Sequence, residues 1–148
     1  AGGTKDLSEV LNLPIEGPEL EDQFWIDKLA DQSRMFQFPE SKPFVPTRWL
    51  KHNDTVTVGN LTFDVKHCPG HTPGHVIFIN HQYKFIWVGD VLFKGSMGRT
   101  DFPRGDHQTL IDSIHANLLT LPDDYQFLSG HGEVSSIGYE RNTNPYIR

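Results

Sequence analysis

Apolar residues recur at helical spacing near the start of the chain, where Leu7, Val10, Leu11 and Leu13 predict a helix over residues 4–12. The segment "LPIEGP" reads as a short strand closed at Gly17-Pro18, and a second helix is expected over 19–30, with Leu20, Phe24, Trp25, Ile26 and Leu29 facing a core. Prolines at 39, 43 and 46 make 31–53 a loop. The alternation then switches to period two: "TVTVGNLTFDV" predicts a hairpin turning at Gly59-Asn60. Two more strands follow over 76–79 and 84–88, the second a continuous apolar run suited to a buried position. A glycine- and arginine-rich loop covers 94–105. Asp106 is then placed to cap a helix whose Leu110, Ile111, Ile114 and Leu118 share one face. "YQFLSGHG" reads as a last strand entering a tight turn. The order is that of an α/β fold, with strands feeding polar loops, and no repeat or domain boundary divides it.

Composition narrows the functional classes. With 148 residues, 36% hydrophobic and 22% charged, the chain fits one globular domain, and no apolar run approaches the roughly 20 residues of a membrane helix. The net charge of −6 and the absence of a dense basic block argue against nucleic acid as a partner. A single cysteine, Cys68, forms no internal disulfide, which suits a reducing compartment and makes the cytoplasm the expected location.

Three polar residues stand out by position. His71 follows the strand ending at 66, Asp90 follows the strand 84–88, and His131 follows the last strand, each with glycine close by. Side chains carried off strand ends into a common crevice are where α/β folds place their chemistry. Imidazoles and a carboxylate are the donor set of zinc and other first-row metals. The prolines and glycines of "CPGHTPGH" make the loop around His71 stiff, which limits the entropy lost when that histidine meets an ion. His52, His81, His107 and His115 lack such neighbours and are expected to be solvated.

Residues 67–75, "FIWVGDVLF" at 85–93 and "GHG" at 130–132 closely resemble the later motifs of the metallo-β-lactamase superfamily, especially its short glyoxalase II-like bacterial hydrolases. "GRTDFPRGDHQTLIDSI" at 98–114 and "GYERNTNP" at 138–145 extend the resemblance over nearly the whole chain. It implies an αββα sandwich in which His71 binds one metal ion, His131 the other, and Asp90, the candidate catalytic residue, bridges both. Two zinc ions are implied, with iron or manganese as alternatives. The implied activity is hydrolysis of a thiolester such as S-lactoylglutathione by a metal-bound hydroxide. Arg99 is placed to contact the glutathione moiety, or else to form an ion-pair cluster with Asp101 and Arg104. His67, Cys68 and His75 are not ligands in this pattern. "GRTDF" with "HTPG" also resembles the persulfide dioxygenases of the superfamily, whose single iron would leave His131 unligated.

One departure matters. The family's His-x-His-x-Asp-His signature is absent from all 148 residues, and "AGGT" resembles the stretch that follows it. The chain is therefore expected to cover mainly the second half of the sandwich, as one N-terminally incomplete domain. Its partners would be the small thiolester and either an N-terminal polypeptide that completes it or further copies of itself. Alone it is expected to be inactive, and a metal-poor interaction module is the reading left if it is not an enzyme.

Overall fold

A computed structural model describes residues 2–148; Ala1, which opens the "AGGT" stretch, lies outside them. The chain divides into two compact units, Ala1–Leu50 and Lys51–Arg148.

In the first unit the expected opening helix is α1 (Thr4–Leu11), closed by Asn12 in the left-handed conformation. Its apolar side chains Leu7, Val10 and Leu11 are exposed. The strand expected in "LPIEGP" reduces to a single parallel bridge between Glu16 and Arg48, because the prolines on either side leave too few donors for a ladder. The helix expected over 19–30 is three pieces: a 3₁₀ turn (Leu20–Asp22), α2 (Gln23–Asp27) and α3 (Leu29–Met35). The last runs beyond the expected end into the predicted loop. Of the five side chains assigned to the core, only Ile26 is buried, and Leu20 is exposed. Breaks at Lys28 and between the 3₁₀ and α turns change the angular spacing, so one apolar stripe is not maintained.

The second unit is built on a six-stranded sheet. Strands β1 (Thr55–Val58) and β2 (Leu61–His67) form the expected hairpin, Val58 pairing with Leu61 across a two-residue turn in which Gly59 has φ 59°. They continue into β3 (Val76–Asn80) and β4 (Phe85–Gly89), all antiparallel. A short hairpin, β5 (Leu92–Phe93) with β6 (Ser96–Met97), starts just before the segment read as loop and runs into it. Helix α4 (His107–Asn117) then leads to β7 (Gln126–Ser129), which pairs in parallel with β4, and to β8 (Ser135–Ser136) and α5 (Ile137–Thr143). The sheet order is β1-β2-β3-β4-β7-β8.

Asp106 caps α4 as expected, its Oδ1 accepting from the Thr109 N–H at 2.7 Å. From that start, Leu110, Ile114 and Leu118 enter an apolar core with Ile77, Ile79, Ile86, Val88 and Phe127 from one face of the sheet. Each such burial is worth about 1.5–3 kcal/mol, which fixes the register of β3, β4 and β7 and so the height at which their following loops emerge. The opposite face is also apolar but less covered. Phe63 stacks on Trp87 with ring centroids 5.1 Å apart, and Trp87 remains 43% exposed. The run "KFIWV" is thus buried on one face only, because strand alternation turns Trp87 away from α4. Among the described residues no helix is long and apolar enough to cross a membrane.

Candidate metal centre

The loop after β2 is tied at several points. Its base closes with the Cys68 N–H donating to the His75 carbonyl at 2.8 Å, and His67 Nε2 lies 2.7 Å from the Pro73 carbonyl. Helix α4 holds its far side: Ser113 Oγ donates to the Pro69 carbonyl at 2.9 Å, and the Asp106 N–H donates to that of Gly70 at 2.8 Å. Gly70, at φ 129°, sits so close to the Leu110 backbone that a Cβ there would overlap it. Cys68 is fully buried and burial pushes its thiol up to about 12, so it is a packed side chain and no nucleophile.

On this frame His71 is oriented by one bond that composition does not reveal. Its Nδ1–H donates to the Arg99 carbonyl at 2.8 Å, which leaves the Nε2 lone pair free. That Nε2 lies 3.7 Å from Asp90 Oδ2. Asp90 leaves the end of β4, and its N–H donates to His75 Nε2 at 3.2 Å. His75 is therefore the tautomer with its proton on Nδ1, an atom that is buried without a partner. Burial first, and then the neighbouring His71, lower its pKa to about 4, so it stays neutral as the acceptor under Asp90.

His131 comes from the turn after β7, which the parallel β4–β7 pairing sets beside Asp90; the Gly130 N–H donates to the Gly89 carbonyl at 2.8 Å. His131 Nε2 lies 3.8 Å from Asp90 Oδ1, so the two histidines approach different oxygens of one carboxylate. The three residues singled out in the sequence are thus brought together. Space for this is made by missing side chains: a Cβ at Gly130 would overlap Asp90 Oδ1, and one at Gly98 would overlap the Asp90 carbonyl.

Arg99 does not point into this cluster. Its Nε donates to Asp101 Oδ1 at 2.6 Å and its guanidinium lies 4.5 Å from the centre of the Phe102 ring, on an exposed surface. Three of the histidines read as solvated have structural partners. His81 joins Tyr125 Oη at 2.8 Å to Asp64 Oδ2 at 3.2 Å, His115 meets the Ile147 carbonyl at 2.9 Å, and His52 Nδ1 accepts from the His67 N–H at 3.3 Å.

The donor set suits a metal. Asp90 Oδ1 is buried and has no hydrogen-bond partner, an expensive arrangement unless a cation completes it. Donors sharing a tetrahedral ion at about 2.1 Å lie roughly 3.4 Å apart, and the two His–Asp separations are a few tenths wider. Among the described residues no three His, Cys, Asp or Glu side chains form a single metal-holding group. Each ion would receive one imidazole and one carboxylate oxygen here, fewer than the four donors of a closed site.

Comparisons with known proteins give the family of the fold. The metallo-β-lactamase superfamily model matches residues 1–131. The hydroxyacylglutathione hydrolase GloC of Haemophilus influenzae is 41% identical over 147 residues, covering 99% of this chain and 69% of its own. Among solved structures, the BLEG-1 B3 metallo-β-lactamase superposes with a TM-score of 0.87 at 33% identity, covering 99% of this chain and 70% of that one. TTHA1623 in a di-iron-bound form gives 0.87 at 34% identity, covering 98% and 70%. By the match over residues 1–131 and the 41% identity to GloC, the chain belongs to the metallo-β-lactamase superfamily.

Proposed function

We propose that this chain carries the His71–Asp90–His131 part of the dinuclear site of a glyoxalase II-type hydrolase, whose substrate is a thiolester such as S-lactoylglutathione. The observation behind this is the approach of two imidazoles to opposite oxygens of Asp90, one of them buried and without a hydrogen bond. The likeness to a hydroxyacylglutathione hydrolase supports the substrate class. Bound at this site, two zinc ions, or iron or manganese in their place, would supply an acidified water as nucleophile and polarise the carbonyl oxygen of the substrate.

The chain's own residues prepare that chemistry. The Arg99 carbonyl holds the proton of His71 on Nδ1 and aims Nε2 at the shared site, while His75 fixes the Asp90 backbone from beneath. Arg99 offers a guanidinium to a substrate carboxylate at the rim, where Asp101 holds it until displaced. The further donors a closed site needs would be those that the family resemblance implies, a segment ending in His-x-His-x-Asp-His.

The test joins metal content to activity. The 148-residue chain alone should bind zinc weakly and hydrolyse S-lactoylglutathione negligibly, and a protein completed with that segment should do both. In the completed protein Asp90→Ala should cost more than about 100-fold in turnover and lower the metal content with it, since even outer-shell changes cost 10–100-fold. Two ions and ordinary turnover in that variant would remove the reading. Oxygen uptake with glutathione persulfide, without hydrolysis, would replace it by the mononuclear iron reading.

A further inference from the structure

The motif "GYERNTNP" takes no part in the site described, yet it holds a fully buried carboxylate. Glu140 of α5 accepts at Oε2 from the Gly95 N–H at 2.9 Å and from Asn144 Nδ2 at 2.8 Å, while Ser135 Oγ bonds to Oε1. Asn144, also fully buried, gives a further bond to the Ser96 carbonyl at 3.0 Å. One carboxylate therefore ties together the turn of the β5–β6 hairpin and the start of β8. These are the two segments that bound His131. Its ring lies 6.1 Å from that of Phe93 in the hairpin, and its loop ends at Ser135, which pairs with Phe127 of β7. Hairpin and loop are also linked by an exposed ion pair, Lys94 Nζ to Glu133 Oε2 at 2.6 Å, and such pairs hold little. Desolvating a carboxylate is costly, and a helix packed on the same spot through an apolar side chain would avoid that cost; what the carboxylate adds is two-sided attachment at fixed geometry.

We infer that Glu140 is a positioning residue for His131, holding the β5–β6 hairpin and the 130–135 loop in register from behind so that the imidazole meets Asp90 Oδ1. Its importance for catalysis rests on the function proposed above, but the positioning does not, and it is testable without metal or substrate. In the 148-residue chain, amide hydrogen exchange and the nuclear Overhauser contact between the Phe93 and His131 rings are compared among variants. Glu140→Ala should raise exchange about tenfold or more at both 94–97 and 131–135 and abolish the ring contact, with β2–β4 unchanged. Ser135→Ala should loosen 131–135 alone. Glu140→Gln, with an oxygen still available to Gly95 and Asn144, should restore the hairpin. A folded Glu140→Ala chain with unchanged exchange and an intact ring contact overturns the inference. If Glu140→Ala does not fold, Ser135→Ala decides: local loosening with loss of the ring contact supports it, and wild-type behaviour overturns it. Titration with Zn²⁺ alone then reads the consequence separately, as weaker binding in Ser135→Ala.

Discussion

The two loops that bring histidines to Asp90 are built in opposite ways. The His71 loop is laced to α4 and to the 98–105 segment by backbone and side-chain bonds, and its histidine is only 12% exposed. The His131 loop is short and its histidine is 80% exposed. Beyond the Ser129 Oγ bond to the His131 carbonyl and the exposed Lys94–Glu133 ion pair, it relies on attachments at its ends. One donor is fixed before any ion arrives; the other is held at a distance through Gly130 and Ser135. The same carboxylate faces both, so ordering the second donor is where conformational entropy remains to be spent.

Acid should erode the first loop's advantage most. The folded pKa of His75, about 4, lies below the ordinary 6.5, so the unfolded chain takes up this proton first as pH falls. The contribution is complete above pH 6.5 and is lost on descending to pH 4, amounting to roughly 3 kcal/mol. Urea unfolding of the metal-free chain should show this loss relative to a folded His75→Asn variant, and parallel pH profiles would refute it. Gly130→Ala tests whether the second loop constrains the first. The added methyl overlaps Asp90 Oδ1, so a destabilisation of about 1–3 kcal/mol is expected, with displaced His71 and His131 resonances. Spectra changed only at 129–133 would mean that the loop yields alone. The smallest effect is expected from Ser113→Ala, which removes the donor to the Pro69 carbonyl. About 1 kcal/mol should be lost, with faster exchange across 68–75 and none across 130–135. Equal loosening of both loops would end the comparison.

The site was more legible in the sequence than the first unit of the fold. His71, Asp90 and His131 each follow a strand and sit by glycine, a pattern that survives without knowledge of the packing. The β1–β2 turn and the Asp106 cap were equally readable, because each depends on a few adjacent residues. What orients the site was not. The Arg99 carbonyl bonds His71 through an atom every residue possesses, and Glu140 looks like any acid on a helix until its burial is known. Trp87 departs from the expected burial for a related reason: an apolar run gives the strand but not whether both faces are covered. The division of 20–35 into short helices follows from local turns that hydrophobic spacing averages over.

The parallel pairing of β4 with β7 has a consequence for the order of assembly. The His71 loop and Asp90 flank β3 and β4, neighbours joined by a tight hairpin, and can approach once that local structure forms. His131 reaches Asp90 only after β5, β6 and α4 have been traversed and the crossover has closed. Non-local pairing of this kind must meet its loop-closure entropy before contacts reward it, which makes it a slow step. The second imidazole is therefore expected to arrive late, its approach to Asp90 marking closure of the crossover.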